Sequence, residues 1–438
     1  MSDTLPIDPA TEPLVGSVRV PGSKSITNRA IVLAALSRGS SVLHDMLRSD
    51  DTEAMLQAVG TLGLTVGHEG EAVVIEGGSG RLPAVGSPLR IDCGHGGTPA
   101  RFLLAMGCLA PDAVTVDGSP RLRSRPMADG IDMLRSLGAD ITCLDEEGHL
   151  PVRIDSSRLR GGRLRIGRTA SSQFISALLL VAPFLEKGIE FEFEEPPTSA
   201  SYLQLTVSEL QHWGAGVEFE HEAGALRWIR VRPGMLASRH RSVEPDASSA
   251  VYWAVAAAIV PGSCVTLVGC RADDPQPDTR VIEAIRLTGA SVEAADDGVT
   301  VRGPRSLRGW STIDASAMPD GAVAMSILAA CAMTSTTIIG LETLPLKESD
   351  RLGVLKRELE RCGAEVIATP KSLRIGPIPS PQLDPVAPPV SIPTYDDHRM
   401  AMAFSILGLR RGGISIEDPG VVSKSYPGFF ADLERLRG

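Results

Sequence analysis

Lys24, Ser25 and Arg29 lie in the stretch PGSKSITNRAIVLAALS, residues 21–37, where a Pro-Gly turn gives way to an apolar helix pattern. Ser and Thr at a helix start accept hydrogen bonds from backbone N–H groups that have no helical partner. The same N–H groups, aided by the helix dipole, form an anion site. Two side-chain cations added there suit a phosphate or a carboxylate. Further positions of this kind follow along the chain. Arg101 stands behind His95-Gly96-Gly97-Thr98, where glycine lets the backbone approach a ligand closely. Arg121, Arg123 and Arg125 crowd the loop SPRLRSRP. Ser171-Ser172-Gln173 brings hydroxyl and amide groups to one helix start. Asp320 follows Met318-Pro319, and Lys347, Glu348 and Arg351 share one short run. Tyr395-Asp396-Asp397-His398-Arg399 precedes an apolar helix, and Lys424 sits in the turn Ser423–Pro427. Singly, each has an ordinary structural role as a cap, a solvated turn or a local ion pair. Together they make a largely cationic surface for small polyanions.

Few acid–base groups stand among these cations: Asp320, Glu348, Lys24, Lys424 and His398. No Ser-His-Asp order or cysteine nucleophile suggests itself, and no G-x-G-x-x-G or Walker loop marks a nucleotide site. Asp397 and His398 lack a third ligand nearby, and the seven cysteines include no C-x-x-C pair. The chain is therefore expected to use no metal and no cofactor, and to keep its thiols reduced in the cytoplasm. A net charge of −10 argues against a nucleic-acid surface. No apolar run approaches the ~18 residues that a membrane span needs. These residues point to a transferase or lyase acting on phosphorylated acids without a metal, and the chemistry they specify ends there.

The elements that must position these residues recur with one period. Lys24, Thr98, Ser172, Ser248, Asp320 and His398 each open an apolar helix pattern, at intervals of 74, 74, 76, 72 and 78 residues. A second, charged helix pattern ends each time at a glycine followed by strand-like sequence: Gly63, Gly138, Gly214, Gly289 and Gly363, spaced 75, 76, 75 and 74. Glycine just past a helix is the left-handed cap. Six α/β repeats of about 75 residues are predicted, three per lobe, with the boundary near Arg241–Pro245. The first helix of each repeat is apolar almost all round and should be buried, leaving only its start free to meet a ligand.

PGSKSITNR, GGTPAR, RSRP, SSQF, PDGAVAM, LKESDR, DDHRMAMAF and SKSYP, in this order and over nearly the whole chain, resemble the 5-enolpyruvylshikimate-3-phosphate synthase family (3-phosphoshikimate 1-carboxyvinyltransferases). The resemblance implies an α/β fold of two lobes, each of three βαβαββ units in an inside-out barrel, closing around substrate. It implies lobes of 21–243 and of 1–20 plus 244–438. The implied reaction adds the 5-hydroxyl of shikimate-3-phosphate to C2 of phosphoenolpyruvate, protonates C3 and then expels phosphate. The implied shikimate-3-phosphate site is Lys24, Ser25, Arg29, Ser171, Ser172, Gln173, Ser199, Asp320, Thr343 and Lys347. Phosphoenolpyruvate is implied to meet Lys24, Gly97, Arg125, Gln173, Arg351, Arg399 and Lys424. Asp320 is the implied base, with Glu348 and Lys24 as proton donors, and the division of proton transfers among the three is left open. The implied partners are these two small molecules, with no nucleic acid and no membrane, and the chain is expected to act as a monomer.

Some positions depart from the family pattern. His95 replaces a usual Asn, Gly96 a usual Ala or Ser, Thr343 a usual Asn, and Pro345-Leu346 a usual Arg-Val, while Pro99 follows Thr98. None removes a charged catalytic group, so altered affinity for phosphoenolpyruvate analogues such as glyphosate is the expectation, not a lost reaction. Two rival readings share the cleft: the sister enolpyruvyl transferase acting on UDP-N-acetylglucosamine, and a non-catalytic polyanion-binding pseudoenzyme. The first carries a reactive cysteine in its basic loop, which SPRLRSRP lacks. The second is disfavoured by the acid–base groups still present.

Overall fold

Ser23 turns the chain into its first central helix, α1 (Lys24–Leu36), because its Oγ accepts the Ile26 backbone N–H. A computed structural model describes residues 4–155, 159–222, 224–379 and 387–438. The other central helices are α2 (Gly97–Gly107), α3 (Ser172–Val181), α4 (Ala247–Ile259), α5 (Ala322–Cys331) and α6 (His398–Gly408). From α1 to α6 nearly every side chain is buried, as all-round apolar sequence requires. Charged helices such as Arg351–Arg361 cover the sheets instead. The five glycines predicted as helix stops have φ of 87, 98, 86, 97 and 102° at Gly63, Gly138, Gly214, Gly289 and Gly363. A side chain at such φ is strained, so these positions end their helices.

The chain divides into two compact units, residues 22–244 and residues 1–21 with 245–438. In the first, α1, α2 and α3 pack together inside three sheets that each have four strands among the described residues. Taking the sheet of Leu89–Asp92 as the pattern, that strand pairs in parallel with Val114–Asp117. Val114–Asp117 pairs antiparallel with Val152–Asp155, which pairs antiparallel with Asp140–Cys143. The parallel pair is the one joined through a central helix, as parallel neighbours demand a crossover. In the second unit α4, α5 and α6 pack together in the same way. Among the described residues its sheets have four, four and three strands. The N-terminal Thr4–Ile7 supplies the third strand of the last, antiparallel to Ile414–Glu417. Each unit has its own continuous apolar core. The fold is thus mixed α/β. Among the described residues, no helix is long and apolar enough to cross a membrane.

Candidate active site

In residues 22–244 the helix starts gather the predicted groups. Lys24, mostly buried, faces Asp51 with Nζ 3.2 Å from Oδ2. Arg29, one turn on, is 2 % exposed. Its Nε donates to Thr206 Oγ1 at 2.9 Å and its Nη1 to the Ser25 carbonyl at 2.8 Å. Nη2 reaches Ser176 Oγ at 3.4 Å and the Tyr202 carbonyl at 3.3 Å. Burial lowers its pKa to about 10, opposed by Glu209, so the guanidinium stays charged at neutral pH. Arg29 therefore ties α1 to α3 and to the helix Ala200–His212, and its positive charge stands under the Ser25 backbone.

Ser171 caps α3 by accepting the Gln173 N–H at 3.2 Å, and Ser172 is buried beside it. Gln173 Oε1 accepts from Arg101 Nη1 at 2.6 Å. Arg101 also lies 4.9 Å over the Phe174 ring, so α2 and α3 present their starts as one polar surface. Ser199 holds left-handed backbone, φ 50°, at the start of Ala200–His212 without capping it through its side chain. Such strain in a non-glycine residue persists only where its surroundings enforce it.

The structure sorts the three basic-loop arginines. Arg123 grips Asp117 bidentately, at 2.8 and 2.7 Å, and is structural. Arg121 is exposed. Arg125 is 7 % exposed, and its guanidinium occupies the space beside Gly97 where a side chain would stand. A Cβ at Gly97 would lie 2.3 Å from Arg125 Nη1, so any side chain there would push the guanidinium away. His95, one of the departures noted above, has Nδ1 3.1 Å from Ser119 Oγ.

In the second unit a buried network centres on Asp320. Its Oδ1 accepts from Arg351 Nη1 at 2.8 Å and lies 3.2 Å from Lys347 Nζ. Oδ2 accepts from Arg399 Nη2 at 3.2 Å. Arg351, 1 % exposed, also binds Asp397 through Nε and Nη2, at 2.8 and 3.1 Å, and Glu348 through Nη2 at 2.7 Å. Lys424 Nζ lies 3.8 Å from Glu348 Oε1. Burial by itself would raise the Asp320 carboxyl, but Arg399, Lys347 and Arg351 outweigh it and hold the group well below the usual carboxylate range. The same acids hold the Arg351 guanidinium protonated against its burial. The Thr343 hydroxyl, buried at the start of the turn Leu344–Leu346, has no hydrogen-bond partner among the described residues.

Lys347 and Arg351 have the four-residue spacing of neighbours on one helix face. The helix begins only at Arg351, capped by Asp350, and Lys347 ends the preceding turn. Both cations nonetheless meet at the same oxygen of Asp320. Asp320 lies one residue before the cap of α5, which is Gly321, and so does not cap it. Sequence reasoning passed over Asp51 and used Asp397 only as part of a polar cluster. Asp397 caps α6, accepting the Arg399 N–H at 3.0 Å, while binding Arg351 and Ser349 Oγ. Its position directly before a helix pattern was the available signal. Asp51 had none, because only the fold brings it to Lys24. No cluster of three or more metal-ligating side chains occurs among the described residues.

The family model described as EPSP synthase (3-phosphoshikimate 1-carboxyvinyltransferase) matches residues 9–433. A 3-phosphoshikimate 1-carboxyvinyltransferase from Methanoculleus marisnigri is 39 % identical over 424 residues, covering 97 % of each chain. One from Cupriavidus necator is 36 % identical over 97 % of each. The solved structure of EPSP synthase from Acinetobacter baumannii superposes with a TM-score of 0.81 at 29 % identity, covering 99 % of this chain and 98 % of that one. With a family model spanning almost all of its length and relatives of this identity, the chain belongs to the EPSP synthase family.

Proposed function

We propose that the chain transfers the 1-carboxyvinyl group of phosphoenolpyruvate to the 5-hydroxyl of shikimate-3-phosphate, releasing phosphate. The observation that carries this reading is the ionised Asp320 ringed by Lys347, Arg351 and Arg399. In the addition step the hydroxyl oxygen bonds to C2, its proton leaves to a base, and C3 gains a proton. In the elimination step C3 gives up a proton and the C2–O bond to phosphate breaks. Asp320 is the proposed base. With three cations around it, the carboxylate is ionised but weakly basic in the free enzyme. Anionic substrate placed on those cations would screen them and raise its basicity where the proton must be taken. Glu348 and Lys24 are the proposed proton donors at C3.

Shikimate-3-phosphate is assigned to Lys24, Ser25, Arg29, Ser171, Ser172, Gln173, Ser199, Asp320, Thr343 and Lys347. Phosphoenolpyruvate is assigned to Lys24, Gly97, Arg125, Gln173, Arg351, Arg399 and Lys424. Cations fixed before reaction stabilise the departing phosphate without reorganising. The chain is proposed to act as a monomer in the cytoplasm. The test is phosphate release by purified protein, with each substrate alone and with both. Release that needs both substrates and disappears in Asp320→Ala supports the reading. Tight binding of shikimate-3-phosphate with no release would replace it with a polyanion-binding role.

A further inference from the structure

The buried segment Gln276–Asp278 has no place in the machinery above, yet it touches the starts of two central helices. Gln276 and Asp278 are 5 % and 1 % exposed. Gln276 Oε1 accepts the Ala247 N–H at 3.1 Å, and its Nε2 donates to the Pro245 carbonyl at 2.7 Å. Asp278 Oδ2 accepts from Ser248 Oγ. Both contacts hold the start of α4. Asp278 Oδ1 accepts the backbone N–H of Gly321 at 3.1 Å, and Gly321 directly follows Asp320 and caps α5. Space there is tight: a Cβ on Gly321 would stand 2.6 Å from Val281 Cγ2 and 3.1 Å from Asp278 Oδ1.

A carboxylate buried this deeply is expensive unless its oxygens are satisfied. Burial, and then the neighbouring Asp320, push the Asp278 carboxyl up to about 6, with Arg399, Ser248 and the Gly321 N–H acting in its favour. An apolar residue would fill the same space without that penalty. The retained acid is accounted for by what its two oxygens hold.

We propose that Asp278 is a positioning residue that fixes the Asp320-Gly321 turn against the start of α4, so that the Asp320 carboxylate meets its three cations in one geometry. The Gly321 amide is the point of attachment. It lies one peptide from the Asp320 side chain, so its displacement carries Asp320 with it. A shift of ~1 Å at such a group is enough to lower binding or rate by ~100-fold. The ligand arm of this proposal rests on the assignment of shikimate-3-phosphate to Asp320, whereas the amide arm does not.

The experiment compares the full-length parent with Asp278→Ala and Asp278→Asn. Asparagine retains an acceptor for Gly321 and has a donor for Ser248. Hydrogen exchange at the Gly321 amide is read first: protection is expected in the parent and in Asp278→Asn, with at least a tenfold loss in Asp278→Ala. Calorimetric titration with shikimate-3-phosphate is read second. Asp278→Ala is expected to weaken Kd at least tenfold with stoichiometry still near one, and Asp278→Asn to remain within about threefold. A role in stability alone would lower the stoichiometry or Tm and leave Kd unchanged, which overturns the proposal. Unchanged Gly321 protection in Asp278→Ala overturns it as well. If the parent itself does not bind the ligand, the proposed function fails, and the amide exchange still decides the anchor.

Discussion

Gly97→Ala isolates the relation between a helix start and the arginine laid across it. A methyl at residue 97 would be placed 2.3 Å from Arg125 Nη1, 2.8 Å from Cζ and 3.1 Å from Nη2. Non-bonded heavy atoms settle at about 3.5–4.0 Å, so the guanidinium must retreat by roughly 1 Å or more. Arg125 is nearly buried and cannot swing free without disturbing its surroundings. A hydrogen bond to a charged group contributes about 1.5–3 kcal/mol, and each 1.4 kcal/mol is a factor of ten. Loss of one Arg125–ligand contact should therefore raise KM for phosphoenolpyruvate by about 10- to 100-fold. Kd for shikimate-3-phosphate, which is not assigned to Arg125, should move less than about threefold. The assay is steady-state phosphate release at varied phosphoenolpyruvate, paired with calorimetry for the other substrate. Gly96→Ala is the control, since its Cβ would meet Pro99 Cγ at 2.8 Å and the Cys93 carbonyl at 3.0 Å, not Arg125. The double variant Gly97→Ala, Arg125→Lys should lose less than the sum of the single losses, because contacting residues couple. An unchanged KM in Gly97→Ala, or an equal effect from Gly96→Ala, refutes this reasoning.

Arg351→Met would leave the carboxylates of Asp320, Glu348 and Asp397 without the cation they share. Breaking a buried ion pair by removing one partner costs about 3–5 kcal/mol, and urea unfolding should show it; a loss under 1 kcal/mol would mean that the network relaxes freely. Asp278→Asn should alter stability in a pH-dependent way. The parent's folded-state carboxyl sits near 6, above its unfolded value of about 3.9. Its contribution to stability is therefore complete below pH ~4 and lost as pH rises through ~6. The variant should match the parent near pH 4 and exceed it above pH 7, by up to ~3 kcal/mol, and a pH-independent difference would disprove the raised carboxyl. Tyr395→Phe removes the 2.6 Å bond to the fully buried Glu358 that braces two left-handed residues, Tyr395 and Asp396, with φ of 57 and 55°. A stability loss of about 1–3 kcal/mol is expected, read as a lower urea midpoint; an unchanged midpoint would show that the turn holds itself.

Much of this molecule follows from local sequence. Helices apolar on every side must be buried, so α1 to α6 could be placed by pattern, and a glycine after a charged helix had to be left-handed. The eight motifs sufficed to suggest the family. Sequence also put every candidate cation near a helix start or turn, because a core helix has only its ends free to meet a ligand. Which cations serve the site was a tertiary decision. Arg121, Arg123 and Arg125 read alike in the sequence, yet Asp117 takes Arg123 and the guanidinium of Arg125 settles beside Gly97. Lys347 and Arg351 look like a helical pair, but a turn separates them and Asp320 reunites them. Asp51 and Asp278 carry no local signal of the groups they meet. Their partners lie 27 and 43 residues away, and a carboxylate's role depends on which charges and N–H donors the packed chain brings within about 3 Å.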